Sequence, residues 1–312
     1  MEAPRWIDAA HIRRALSPEQ ARRLIREALE GDFDPAGDPA RLAPVVPGGQ
    51  LLIMPSSTGD SVGVKVLSVA PGNPVRGLER IQALYVLFDA DTLAPSVILD
   101  GSAITSLRTP AVSAVAVDAL APPTTRTMTV FGGGPQALGH VEAVLAVRQP
   151  ERVVIVTRHL DGARATARRI GELGVETTAL AAAEDVRVRT AVAGSEVVVT
   201  ATSAGTPVLD GSWVADGACV VAIGSHEPDR RELDSALLGR SLVVVEDIGT
   251  ALREAGDVVL AMGEGVLSTA DLYPLKDLVT GAVRRATDRP NVFKSVGMSW
   301  EDLVIAAGVA RA

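Results

Sequence analysis

A lysine stands inside the apolar run "VGVKVLSV" and an arginine inside "ITSLRTPAVSAVAVDAL". Lys65, flanked by Val64 and Val66, has two readings. It points to solvent from a half-exposed sheet, or it is held in a pocket where desolvation lowers its pKa and makes it a usable acid or base. Periodicity alone leaves both open. Arg108 is the only basic residue in its apolar helix, where an unpaired cation is costly, so it is expected to meet an anion from the protein or from a ligand carboxylate.

The stretch "TVFGGGPQALGH" carries a second kind of chemistry. Gly132, Gly134 and Ala137 fit G-x-G-x-x-G/A, with an apolar strand before them and an apolar helical stripe of Leu138, Val141, Val144 and Leu145 behind. Such a turn brings backbone close to a pyrophosphate and aims free N–H groups and the helix dipole at it. In domains that bind NAD, the next strand ends in an Asp or Glu that takes the ribose hydroxyls. Here it ends Thr157-Arg158-His159, and Asp161 looks like the N-cap of the following helix. A guanidinium can fork onto a 2′-phosphate that a carboxylate would repel, which favours NADPH over NADH, NADH remaining possible.

These residues need elements to position them. Ser17, Pro18 and Gln20 form a capping box at the head of a helix running to Leu29. Strands at 51–54, 62–69, 83–89 and 95–100 follow with only turns between them, so antiparallel or mixed pairing is expected. A helix from about Ile104 to Leu120 then ends at Pro122-Pro123. Beyond it, apolar β-branched runs at 127–131, 152–157, 175–180, 196–202, 218–224 and 241–247 have the texture of parallel strands buried on both faces. The expected fold is therefore α/β: a Rossmann-type doubly wound parallel sheet over 121–289, beside a smaller α+β domain.

Bulk composition excludes several partners. The 312 residues are 47% apolar with net charge −8, and no stretch clusters the Lys and Arg that nucleic acid or an anionic membrane needs. No apolar run is long enough to span a membrane, and "MEAPRWIDAAHIRRALSPEQ" lacks a signal-peptide core. The single Cys219 in "GACVVAIG" reads as a buried hydrophobe, consistent with a reducing cytoplasm. No metal-ligand set is read from the sequence. A small-molecule partner fits.

In order along nearly the whole chain, "GVKVLSVAPGN", "LDGSAITSLRTPAVSAVA", "VFGGGPQALGH", "VVVTATS", "IGSHEPDRRELD" and "NVFKSVGMSWEDL" resemble the ornithine cyclodeaminase/μ-crystallin family of NAD(P)-dependent oxidoreductases. The resemblance implies a homodimer whose substrate and dimerisation domain combines 1–120 with 290–312. It makes Lys65 the active-site lysine, Arg108 the clamp on the substrate carboxylate, and Arg41 a second carboxylate-binding arginine. It also assigns Gln136, Thr200 and Ser295, with the glycine turn, Thr157 and Arg158, to the cofactor. The shared chemistry is hydride transfer between nicotinamide C4 and the α-carbon of an amino or imino acid.

One departure matters. Family cyclodeaminases typically carry an aspartate in the loop after the fifth strand, whereas this chain has Gly224-Ser225-His226-Glu227-Pro228. His226 can shuttle a proton near neutral pH but does not supply a fixed negative charge. Glu227 and Asp229 are expected merely to cap a helix starting near Arg231. With the non-acidic second strand, this points away from ornithine cyclisation and toward NADPH-dependent reduction of a cyclic imine or ketimine carboxylate. The alternatives are an ornithine or lysine cyclodeaminase, an alanine-type amino-acid dehydrogenase, and a non-catalytic NADPH-binding protein.

Overall fold

The computed structural model describes residues 3–312. They divide into two units, Met1–Val112 with Gly297–Ala312, and Ser113–Val296.

The first unit is built on a six-stranded mixed sheet. Its strands are β1 (Arg5–Ile7), β2 (Val45–Val46), β3 (Gly49–Thr58), β4 (Ser61–Val69), β5 (Ile81–Phe88) and β6 (Pro95–Asp100), in the order β1-β6-β5-β4-β3-β2. Only β1, which three residues could not announce, runs parallel to its neighbour. Along β4 the period of two sends Gly63, Lys65, Leu67 and Val69 to the buried face and Val62, Val64, Val66 and Ser68 to the other. That settles the two readings of Lys65: it points inward. The helix Ser299–Arg311 packs on β3, β4 and β5. The helix Pro18–Glu30 has the expected reciprocal cap between Ser17 and Gln20 and buries Ala21, Ile25 and Leu29.

The second unit holds an eight-stranded, wholly parallel sheet. Its strands are β7 (Thr127–Phe131), β8 (Arg152–Thr157), β9 (Glu176–Ala181), β10 (Val197–Thr200), β11 (Cys219–Ala222), β12 (Leu242–Val245), β13 (Leu272–Pro274) and β14 (Asn291–Lys294). The order β13-β12-β14-β11-β10-β7-β8-β9 reverses direction between β7 and β10, so the glycine turn after β7 lies at the switch point where doubly wound sheets bind ligands.

Both expected boundaries move, for reasons the structure shows. The helix Gly101–Leu120 divides at Val112, because its second half is fastened to the helix Pro135–Val147. Ser113 bonds His140 Nε2 at 2.9 Å, and Arg148 reaches Asp118 Oδ1 at 3.0 Å and the Pro122 carbonyl at 3.1 Å. At the other end, Asn291–Lys294 is a strand between β11 and β12 rather than part of the C-terminal return, which starts at Gly297.

Candidate functional site

In the first unit, four charged side chains converge where water is excluded. Lys65, Arg108, Glu301 and Asp302 are 1%, 6%, 0% and 0% exposed. Lys65 Nζ donates to Asp302 Oδ2 at 2.6 Å and lies 3.5 Å from Thr105 Oγ1. The other oxygen of Asp302 accepts from Arg108 Nε at 3.2 Å, and Arg108 Nη1 donates to Glu301 Oε2 at 2.7 Å. One carboxylate therefore bridges the lysine and the arginine and sets their separation. The protein itself supplies anions to Arg108, at Nε and Nη1. Gly297, with φ +79°, lets the backbone pass against the guanidinium: a Cβ there would stand 2.5 Å from Nη1.

Burial pulls the Lys65 ammonium down to about 8 from 10.5; Asp302 opposes that shift and the Arg108 charge adds to it. Two further groups belong to this cluster. Tyr85 pairs with Lys65 across β4 and β5, and its phenol occupies room that only Gly63 leaves, since a Cβ at 63 would sit 2.5 Å from Tyr85 Oη. The phenol has no protein hydrogen-bond partner, and burial raises its pKa well above 10. Asp38 accepts from Ser56 Oγ at 2.5 Å and from the Trp300 N–H at 3.0 Å, and burial lifts its pKa to about 6. Arg41 is half-buried and precedes Leu42, whose backbone bridges Ile53, the residue before the β3 partner of Lys65.

In the second unit, Gly132 has φ +129°, and a Cβ there would lie 2.4 Å from the Ala201 carbonyl oxygen, so only glycine serves. Gly134 is the N-cap of the helix Pro135–Val147, with no side-chain cap and open space around it. Ala137 is fully buried, as the motif requires. The Gln136 carbonyl accepts from His140 Nδ1 at 2.7 Å, which leaves Nε2 to accept from Ser113. That ring is neutral, burial having pushed its pKa down to about 4. Gly133, which the motif leaves without a role, packs against Thr157 and Thr166, whose hydroxyl donates to the Gly133 carbonyl at 3.1 Å.

At the end of β8, Thr157 donates to the His159 carbonyl at 2.6 Å, while Arg158 is exposed. Asp161 is not the cap of the next helix; His159 holds that position and Asp161 lies in the first turn. Likewise no helix begins near Arg231. It begins at Ser235 under an Asp234 cap, and Glu227 pairs with Arg230 at 3.2 Å.

The hydroxyls of Thr200 and Ser295, expected at the cofactor, are held inside the frame, donating to Glu232 Oε2 at 2.9 Å and Glu246 Oε1 at 2.6 Å. His226 is half-buried on the loop after β11, and the Ser225 carbonyl before it accepts from the buried Lys294. Sequence reasoning missed Asp302, Glu301, Tyr85, Asp38, Glu232, Asp257 and Lys294. Several carried a usable signal, a charge inside an otherwise apolar run, as in "SWEDLVIAAG", "AGDVVLA" and "NVFKS".

The second unit fits a dinucleotide: its glycine turn leaves open space in front of Gly134 that a side chain there would enter, the helix start behind it has no side-chain cap, and Gln136 Oε1 beside it is a buried acceptor without a protein partner. Together with a buried lysine and arginine, this defines the class, a nicotinamide-dependent oxidoreductase. The chain belongs to the ornithine cyclodeaminase/mu-crystallin family, whose model matches residues 16–311.

A Delta(1)-pyrroline-2-carboxylate reductase of Bacillus cereus is 36% identical over 262 residues, 82% of this chain and 79% of that protein. The ketimine reductase mu-crystallin of Mus musculus is 32% identical over 315 residues, 97% of this chain and 96% of its own. Among solved structures, the Delta(1)-pyrroline-2-carboxylate reductase of Thermococcus litoralis, in complex with NADH and L-proline, superposes with a TM-score of 0.91 at 29% identity, covering 98% of this chain and 96% of that one. An archaeal alanine dehydrogenase dimer with bound NAD gives 0.90 at 25% identity, covering 99% and 95%.

Proposed function

We propose that this protein reduces the C=N bond of a small cyclic imine or ketimine carboxylate, of the Δ1-pyrroline-2-carboxylate kind, with NADPH. The observation that carries this reading is the single carboxylate of Asp302 binding both Lys65 and Arg108. Arg108 fixes the substrate carboxylate, held to one orientation by Glu301 and Asp302, and Arg41 adds a second cation. Lys65 gives a proton to the imine nitrogen as the C=N bond becomes single, so that an amino acid leaves. His226 carries a proton in the loop where cyclodeaminases hold an aspartate. When bound, the dinucleotide would supply hydride to the imine carbon; Gly132, Gly134 and Gln136 would hold its pyrophosphate, with Ala137 letting the helix pack closely behind them, and Thr157 and Arg158 would hold its ribose end. Two of the similar structures hold NADH or NAD; the choice of NADPH here rests on the exposed Arg158 and the lack of an acidic side chain at the end of β8.

Steady-state assays of the purified protein with Δ1-pyrroline-2-carboxylate should show NADPH consumed and proline formed. Arg158→Ala should raise the KM for NADPH about tenfold and leave that for NADH unchanged, the size expected of one charge-assisted phosphate contact. Ammonia release from ornithine without imine reduction would sink the reductase reading; wild-type preference for NADH would sink the cofactor assignment alone.

The protein acts as a homodimer. The outer face of the first unit's sheet leaves Leu51, Val66 and Leu84 exposed, with Ile53, Val64 and Val86 beside them only half-buried. A contiguous apolar face of this kind marks an interface, and the archaeal relative was solved as a dimer. Leu84→Lys should convert dimer to monomer in light scattering; a wild-type monomer refutes the assignment. Among the described residues no helix is long and apolar enough to cross a membrane. The lone thiol, Cys219, is buried and pushed up to about 12, which suits a protein of the cytoplasm.

A further inference from the structure

The second unit contains charges its core does not need. Glu232 and Asp257 are wholly buried and Lys294 is 1% exposed, in a domain whose neighbouring positions are valine, leucine and alanine. Apolar residues in such places are often as stable or more so, whereas removing one partner of a buried pair is costly, so charges kept here call for another role.

Their bonds close a ring. Lys294 Nζ donates to the Ser225 carbonyl at 2.5 Å and makes an ion contact with Asp257 Oδ2 at 2.9 Å. Asp257 Oδ1 accepts the N–H groups of Glu232 and Leu233 at 2.7 and 2.8 Å. The Glu232 side chain then accepts the Gly224 N–H at 2.6 Å and the hydroxyls of Thr200 and Thr202 at 2.9 and 2.7 Å. Gly224 and Ser225 are thus gripped on opposite sides, one by its N–H and the next by its carbonyl. There is no slack: a Cβ on Gly224 would fall 2.1 Å from the Thr202 carbonyl, and one on Gly256 would fall 1.9 Å from that of Arg230. His226 is the residue that this grip delivers, beyond the C-terminal end of β11, where open parallel sheets place their chemistry.

We propose that Lys294, through the Ser225 carbonyl and with Asp257 as its counter-ion, is the positioning residue that aims His226 during imine reduction. This rests on the functional reading above. The ring converts a flexible loop into a preorganised one, and the effect of losing it falls on turnover rather than on cofactor affinity.

The test is a double-mutant cycle read in imine reduction with NADPH. Lys294→Met leaves Asp257 unbalanced, so Lys294→Met/Asp257→Asn is made beside it, which removes both charges while the amide oxygen still accepts the Glu232 and Leu233 N–H groups. The charge-neutral pair should melt near wild type, lower kcat at least tenfold, and change the substrate KM and the NADPH Kd by less than about threefold. In a His226→Ala background the same pair should cost kcat less than about twofold more, because the group it aims is already gone. An undiminished kcat, costs that multiply in the triple variant, or a loss confined to NADPH binding would each overturn the proposal. A wild-type protein that reduces no imine overturns the functional reading, and the proposal with it; an active wild type with multiplying costs overturns the proposal alone.

Discussion

Lys65→Met is expected to lower kcat/KM for imine reduction by about 10²- to 10⁴-fold, the usual worth of a placed proton donor, while NADPH binding, read by fluorescence, stays within about twofold. Methionine fills nearly the same volume, and Asp302 keeps its bond to Arg108, so the fold should survive. The pH dependence has a definite sign. Burial holds the Lys65 ammonium at about 8, so the proton that reduction needs is lost as pH rises through 8, and the reductive rate should fall there. Oxidation of the product amino acid needs the free amine and should rise through the same window. Linkage adds a parallel effect on stability: between about 8 and the ordinary 10.5 the unfolded chain binds the extra proton, so this group's contribution grows with pH across that interval. A variant retaining a third of wild-type kcat/KM would refute the role assigned to Lys65.

Arg108→Leu should have the largest effect on stability. It takes the Arg108 ion pair from the wholly buried Glu301 and one of the two cations from Asp302, which keeps Lys65, and breaking one side of a buried ion pair costs about 3–5 kcal/mol. For a chain of this size that corresponds to a fall in Tm of roughly 6–20 °C. Stability and binding can be separated. Arg108→Leu/Glu301→Leu removes one charge of each sign and leaves Asp302 with Lys65; it should recover much of the lost Tm without restoring substrate binding. Arg108→Lys keeps the charge but loses the planar fork, so it should melt near wild type yet raise the substrate KM about tenfold or more. Normal KM in Arg108→Lys would show that the arginine is structural only.

Local rules account for what could be read in advance. The capping box at Ser17 and the glycine turn between β7 and the next helix each depend on a few neighbouring residues, and each stands in the structure as expected. Errors fell where distant segments decide the outcome. Asn291–Lys294 is too short to read as a strand, yet it lies between β11 and β12 and carries the domain boundary past it. The supposed caps at Asp161 and Asp229 failed because the following helices begin elsewhere. Thr200 ends β10 and Ser295 follows β14, and buried carboxylates claim both hydroxyls.

The sequence by itself determined that a lysine and an arginine stand within apolar runs, that a glycine turn would precede a helix at the first strand of a parallel sheet, and that no acidic side chain would end the second. These follow from residue type and spacing along one segment. Only the tertiary structure decided which anions the two cations meet, since Lys65 and Asp302 are separated by 237 positions and touch only because the C-terminal helix returns to the first sheet. The ring around Ser225 likewise joins residues from five segments. Charge pairing inside a protein is a property of contact, and contact between remote segments is set by how elements pack.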